Sequence, residues 1–243
     1  MILLVRPLQA LAASLAVFQQ AQLTEPVSGL ALQEIISDDS GLQALTNLLT
    51  DNEKPPQVII ITSQYAAAML VKAFRHSHSD HLPATLIAIG QKTRRAMEEY
   101  ADFCLLPHEQ SSEGVLAMPC LTDVAQKAII IVKGQGGRKN LYQTLTQRGA
   151  WVTEQAVYQR EYLPVSTSMR QTINTASTII VTNGESAKVL LQHIEAKVLP
   201  TISWIVPSQR IADLIERHGL QSVYISAGAS DAALLKCLHQ IME

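Results

Sequence analysis

Short runs of apolar, mostly β-branched residues recur along this chain, and each is followed by a polar or small-residue turn and then by a helical pattern. The runs are Ile2 to Val5, Val58 to Ile61, Thr85 to Ile89, Ala128 to Val132, Thr178 to Val181, Ser203 to Val206 and Ser222 to Ile225. A strand with one face in water alternates apolar and polar side chains, because successive Cβ atoms point to opposite faces. Runs that do not alternate are buried on both faces, the condition of a parallel sheet covered by helices. Leu8 to Gln20, Gln64 to Phe74, Thr93 to Tyr100, Leu141 to Arg148, Ser186 to Ile194 and Arg210 to His218 read as the intervening helices. The fold class is α/β.

The order of these units repeats. Val58-Ile-Ile-Ile-Thr62-Ser63 is echoed by Thr178-Ile-Ile-Val-Thr182-Asn183, and Thr85-Leu-Ile-Ala-Ile-Gly90-Gln by Ser203-Trp-Ile-Val-Pro207-Ser208-Gln. A third pair sets Phe103 to Pro107, leading to Ser112-Glu113-Gly114, against Val223 to Ser226, leading to Ser230-Asp231-Ala. Strand-turn-helix units repeated in one order predict two similar parallel-sheet α/β domains, flavodoxin- or Rossmann-like. Val27 to Ile35 and Gln155 to Pro164 fit neither a helix nor a buried strand; they alternate partly and carry Pro or Gly at their edges. They read as a two-stranded antiparallel β ribbon joining the domains. The expected organisation is a discontinuous domain one over 1–27 plus 164–243, a linker over 28–35 plus 155–163, and domain two over 36–154.

At 47% hydrophobic and 16% charged, the chain has ample apolar material for two cores. Net charge is −2 and no basic stripe exists, which argues against nucleic acid as a partner. No apolar run approaches the roughly 18 to 20 residues that span a bilayer. Met1 to Gln20 is apolar, but Arg6-Pro7 interrupts it, no basic residue precedes the run and no convincing small-residue cleavage site follows, so it does not read as a secretion signal. Cys104, Cys120 and Cys237 are odd in number and widely spaced, which fits a reducing cytoplasm. With no apolar seam evident, the expectation is a monomer.

In open α/β folds ligands bind at the C-terminal edge of the sheet, and the turns there are rich in hydroxyls and glycine. They are Thr62-Ser63, Gly90 to Thr93, Ser111-Ser112, Gly134 to Arg138, Thr182-Asn183-Gly184, Ser208 and Ala227 to Ser230. Taken singly, each is better read as a helix N-cap. As facing sets on two domains they favour a polyanionic ligand held by hydroxyls and free N–H groups at helix starts. Lys133-Gly134-Gln135-Gly136-Gly137-Arg138 has neither dinucleotide nor P-loop spacing, and reads as an anion-cradling turn with two cations. His76, His78, Asp80 and His81 sit in a Ser-rich stretch and read as a solvated loop rather than a metal site. No Ser or Cys pairs with a His and an acid in a nucleophile context, and no carboxylate dyad is evident.

The ordered set Leu4-Val5-Arg6-Pro7, Thr62-Ser63, Gly90-Gln-Lys-Thr93, Ser112-Glu113-Gly114, Gly134 to Arg138, Arg148-Gly149-Ala150, Val157-Tyr158-Gln-Arg160, Thr182-Asn183-Gly184-Glu185-Ser186 and Ser208-Gln-Arg210 resembles the uroporphyrinogen-III synthase family over nearly the whole chain. The resemblance implies two α/β domains joined by a β ladder with the active site between them. It also implies hydroxymethylbilane as substrate, with acetate and propionate carboxylates on every pyrrole, and no metal or organic cofactor. The implied reaction loses the terminal hydroxyl as water, closes through a spiro intermediate and inverts the last ring. The missing nucleophile then makes sense, because the bilane also cyclises unaided to the uninverted isomer and the enzyme's task is largely positioning.

By the same resemblance Tyr158 stands near the leaving hydroxyl as a hydrogen-bond or proton donor; its other reading is a ribbon aromatic packed in the hinge. Thr62, Ser63, Thr93, Ser112, Gly134, Thr182, Asn183, Gly184 and Ser208 are the candidate hydroxyl and amide ligands of the substrate. Arg6, Lys133, Arg138 and Arg210 are candidate carboxylate partners, or else interdomain ion pairs or surface charges. The turn at Pro207-Ser208-Gln209 departs from the Gly-Pro-Thr-Thr form of some relatives. Hand-over of the bilane from hydroxymethylbilane synthase is a further expectation. The rival reading is a non-catalytic two-lobed protein that binds a small anion.

Overall fold

Val58-Ile-Ile-Ile61 is buried along its whole length because its two faces feed two separate hydrophobic clusters. Ile2–Val5 and Thr178–Val181 are buried along their whole length in the same way in the computed structural model, which describes residues 1–76, 84–98, 103–137 and 139–242. The chain divides into two units, one of Met1–Glu34 with Glu161–Glu243, the other of Ile35–Arg160.

The first unit opens with β1 (Ile2–Val5), α1 (Leu8–Gln20) and β2 (Val27–Leu30), and the chain crosses into the second within β3 (Gln33–Ser37). There follow α2 (Asp39–Leu49), β4 (Val58–Ile61), α3 (Gln64–His76), β5 (Thr85–Ala88), α4 (Gln91–Arg95), β6 (Cys104–Leu105), α5 (Ser112–Leu116), β7 (Ala128–Gly134), α6 (Asn140–Gln147) and β8 (Trp151–Tyr162). The return to the first unit lies within β8, and α7 (Thr167–Asn174), β9 (Thr178–Val181), α8 (Gly184–His193), β10 (Ser203–Val206), α9 (Gln209–Glu216), β11 (Val223–Ile225) and α10 (Asp231–Met242) complete it.

The first unit's sheet has the order β11-β10-β9-β1-β2 and every pairing in it is parallel. Leu3, Val5, Ile179, Val181, Trp204 and Val206 face α8 and α9, while Ile2, Leu4, Ile180 and Ile205 face Phe18 of α1 and Leu234 and Leu238 of α10. The second sheet has the order β3-β8-β7-β4-β5-β6, parallel from β8 to β6. Burying each such Ile or Leu contributes roughly 1.5 to 3 kcal/mol, so these strands cannot trade apolar for polar side chains on either face. Asp38 N–H donates to Val157 O at 3.0 Å, and Leu163 N–H donates to Leu32 O at 3.0 Å. Numbers rise along one strand as they fall along the other, so β3 and β8 are antiparallel.

Several boundaries differ from the sequence pattern. Val27 to Ile35 is not one ribbon strand. Val27–Leu30 pairs in parallel register with Ile2–Val5 as the edge of the first sheet, and β3 starts only at Gln33. An edge strand is half-buried, and Gly29 lies so close to α1 that a Cβ there would meet Leu11 Cδ1 at 3.0 Å, so its partial alternation imitates a ribbon. β8 begins at Trp151, not Gln155, and pairs with β7 before it reaches β3. Helix α4 is a single short turn over Gln91–Arg95, starting before the expected Thr93 and ending at Arg95; of the expected span to Tyr100, Glu99 and Tyr100 lie outside the described residues. The pattern also passes over α2 and α7, which owe their starts to caps: Asp38 Oδ1 accepts Gly41 N–H at 3.0 Å and Ser166 Oγ accepts Met169 N–H at 3.2 Å. Gly41 is required where it stands, because a Cβ would fall 2.0 Å from Ala156 O of β8.

The Asp38 cap carries a pH signature. The Ser40 hydroxyl at 2.7 Å and then the Gly41 N–H hold its carboxyl below the usual carboxylate range. A carboxyl depressed on folding contributes stability that is complete above its unfolded value and is lost as pH falls through the folded one. The gap in urea midpoint between wild type and Asp38→Ala should therefore be widest at neutral pH and narrow on acidification; a gap constant down to low pH would remove the charge from the account.

Candidate active site

The C-terminal ends of β4 and β7 and the interior of β8 bring the second unit's polar residues together. Thr62 follows β4 and spends both donors on one acceptor: its N–H and its hydroxyl each reach Val132 O at 3.1 Å. That hydroxyl ties β4 to β7. Ser63 Oγ accepts Ala66 N–H at 3.0 Å, capping α3, and lies 3.1 Å from Tyr158 Oη.

Tyr158 reaches this point through an irregularity in β8. The β7–β8 register runs one to one from Ala128↔Trp151 to Lys133↔Ala156, but Gly134 then pairs with Tyr158. Val157 is the extra residue, and a bulge of this kind re-aims the side chains that follow it. Val157 and Tyr158 are consequently adjacent in sequence and both buried, at 0% and 2% exposure, where a regular strand would turn one of them out. Gly134 makes room for the ring, since a Cβ there would fall 2.5 Å from both Cε2 and Cζ. Tyr65 meets the ring edge-on at 5.8 Å. Arg160 donates from Nη2 to Tyr158 Oη at 3.2 Å, with its guanidinium carbon 5.5 Å from the ring centroid.

These groups open on a cleft of about 240 Å³ whose polar lining includes Thr62, Ser63, Ser112, Lys133, Tyr158 and Arg160. Gly136 and Gly137 form its rim at φ +72° and +85°, a left-handed pair that L side chains rarely adopt. Lys133 is already paired: its Nζ lies 2.8 Å from Glu154 Oε1, and both groups are largely buried in the lining. The cleft thus holds hydroxyls, glycine amides, a neutralised ion pair and the Arg160 guanidinium. Burial pushes the Cys104 and Cys237 thiols up, which leaves them protonated and poor nucleophiles.

The first unit carries a similar edge. Thr182 and Asn183 follow β9; Asn183 Oδ1 accepts Ser186 N–H at 2.8 Å and caps α8. On the neighbouring strand's end Ser208 stands at the N-cap of α9 without a side-chain capping bond. Arg210 is exposed, and its Nη1 lies 3.5 Å from where a Cβ on Gly184 would be.

A family model described as uroporphyrinogen-III synthase HemD matches residues 27–236. The chain belongs to the uroporphyrinogen-III synthase family. It is 30% identical over 200 residues to the uroporphyrinogen-III synthase of Salmonella typhimurium, covering 78% of this chain and 80% of that protein. It is 32% identical over 160 residues to that of Escherichia coli, covering 62% and 65%. Among solved structures, a mutant uroporphyrinogen III synthase from Thermus thermophilus aligns over 100% of this chain and 98% of its own at a TM-score of 0.65 and 14% identity. The Helicobacter pylori uroporphyrinogen-III synthetase aligns over 100% and 99% at 0.65 and 17% identity. These structural matches show a shared fold.

Of the residues singled out on this family's pattern, Ser63, Ser112, Lys133, Gly134 and Tyr158 converge on one cleft together with Thr62. Thr93 does not join them; it faces inward from α4 at 4% exposure. Arg6 is 7% exposed and gives its Nη2 to Ala229 O at 3.1 Å and to the Asp231 carboxylate, which Ser14 also holds at 2.9 Å. It is an internal ion pair of the first unit rather than a displayed cation. Arg138, with His78, Asp80 and His81, lies outside the described residues. Among the described residues no group of three or more His, Cys, Asp or Glu is placed to hold a metal ion, and no helix is long and apolar enough to cross a membrane. Glu154 and Arg160 were not singled out as site residues. Arg160's only signal is its place two residues after Tyr158, on the same side of the strand.

The fit of Gly134 to the ring is testable by a double-mutant cycle. Gly134→Ala should cost about 1 to 3 kcal/mol of unfolding free energy. In a Tyr158→Leu background, where the opposing ring is gone, the same change should cost much less. Equal costs in both backgrounds would show that the glycine is needed for something other than the ring.

Proposed function

We propose that this chain converts hydroxymethylbilane to uroporphyrinogen III, losing water, closing the macrocycle and inverting ring D through a spiro intermediate. The observation that carries the reading is the Tyr158 hydroxyl, fixed by a buried ring beside Ser63 in a cleft of hydroxyls and glycine amides. Family membership supports the reaction class, and the cleft supports how this chain would run it.

Tyr158 donates its proton to the terminal hydroxymethyl oxygen. The C–O bond breaks with its electron pair leaving in water, and the pyrrole nitrogen lone pair stabilises the azafulvene. The substituted carbon of the fourth pyrrole attacks this electrophile, giving the spiro intermediate. Fragmentation and recombination at the ring's unsubstituted α-carbon follow, and that carbon releases a proton that restores the phenol. The net change is loss of one water, with no oxidant and no cofactor.

Each bilane ring brings two carboxylates. Ser63, Ser112 and the Gly134, Gly136 and Gly137 amides take carboxylate oxygens in the second unit. Thr182, Asn183, Gly184, Ser208 and Arg210 form the corresponding set in the first. Lys133 contributes by exchanging Glu154 for a substrate carboxylate. In the same reading the protein works in the cytoplasm as a monomer and receives its unstable substrate from hydroxymethylbilane synthase.

The test is a coupled assay in which bilane is generated from porphobilinogen by its synthase and the oxidised porphyrin isomers are separated. The expected result is a shift from isomer I to isomer III. Isomer I alone from folded protein would favour a small-anion-binding protein instead. Tyr158→Phe keeps the ring and should lower kcat about 100-fold, the lower range for a general acid, with KM nearly unchanged. An unchanged rate of isomer III formation would remove Tyr158 from the chemistry.

A further inference from the structure

Tyr158 and Ser63 share one hydrogen bond but own two hydroxyl protons. If Tyr158 donates to Ser63, its proton is turned away from the cleft; if Ser63 donates, the phenol proton is free for a ligand. Ser63 Oγ already accepts Ala66 N–H, so either direction is compatible with the α3 cap. Something else must favour delivery.

We infer that Arg160 is the positioning residue that lets Tyr158 deliver its proton, an inference resting on Tyr158 as the donor in the reaction above. Arg160 follows Tyr158 by two residues on β8, so both side chains leave the strand on one side. A guanidinium carries only donors, so its contact with Tyr158 Oη is always a donation. When Ser63 donates as well, the phenol oxygen has accepted two hydrogen bonds and its own O–H is left free of both partners for a ligand. When that proton moves to the departing hydroxyl, negative charge appears on Oη. The Arg160 hydrogen bond then becomes charge-assisted at both ends, so it strengthens as the C–O bond breaks. The guanidinium also lies over the ring at 5.5 Å, where the developing phenolate deepens its attraction to the π face. The proton lent from Oη returns when the closed macrocycle releases its α-carbon proton, so Arg160 itself is unchanged over the cycle.

A carboxylate ligand would instead act on ground state and transition state alike and appear in KM. The experiment is steady-state kinetics of isomer III formation from bilane for wild type, Arg160→Gln, Arg160→Lys, Tyr158→Phe and the Arg160→Gln/Tyr158→Phe double variant. Arg160 is exposed, so these substitutions leave the packed ring and the fold in place, which far-ultraviolet circular dichroism verifies. Arg160→Gln should lower kcat about 10- to 100-fold, the worth of a hydrogen bond to a charged group, and shift KM by no more than about twofold. Arg160→Lys should recover part of kcat, since it keeps a cation that only donates. In the Tyr158→Phe background Arg160→Gln should change kcat less than about twofold, because the oxygen it serves is gone. A raised KM at unchanged kcat, or the full loss repeated in the Tyr158→Phe background, overturns the inference while leaving the reaction standing. Wild-type protein that yields isomer I alone overturns both.

Discussion

The central strands β1, β4 and β9 are clothed on both faces. Ile59 and Ile61 pack on one cluster while Val58 and Ile60 pack on the other, and Ile2 and Leu4 oppose Leu3 and Val5 in the same manner. Such sheets have no face left for chemistry. Because the strands are parallel, their C-terminal ends lie along one edge, and polar side chains that would destroy either face can be placed there at little cost. Thr62, Ser63 and Gly134 occupy that edge in one unit, Thr182, Asn183 and Ser208 in the other. The site is therefore a consequence of the core rather than an addition to it.

Most groups at these edges hold the scaffold. Thr62 closes β4 onto β7, Ser63 caps α3, and Asn183 caps α8. Two cations are similarly committed. Lys133 is matched by Glu154 and Arg6 by Asp231, whereas Arg160 and Arg210 stay exposed. Buried charges left unpaired would be costly, and these two pairings avoid that cost.

Tyr158 is the exception to a scaffold of regular strands. One inserted residue, Val157, turns the ring inward, Gly134 vacates the space it fills, and Tyr65 and Arg160 bracket it. A phenol held this tightly has little conformational freedom left to lose.

The strands Ile2–Val5, Val58–Ile61, Thr178–Val181 and Ser203–Val206 stand in the structure with the bounds that their apolar pattern predicts, because double burial leaves an unambiguous mark on sequence. The α/β class and the hydroxyl-rich turns follow from local composition in the same way. Edges were less legible: β2, half-buried, reads like a ribbon, and β8 mixes a sheet segment with a ribbon segment. Helices α2 and α7 start at side-chain caps that the apolar pattern does not mark. What only the tertiary structure decided is which polar residues are already spoken for. Arg6 meets Asp231 across 225 residues of chain, Lys133 meets Glu154, Thr93 turns inward and the bulge sets Tyr158 against Gly134. Burial pattern is a property of neighbours in sequence, whereas the fate of a charge or a hydroxyl depends on neighbours in space, and those exist only once the chain has folded.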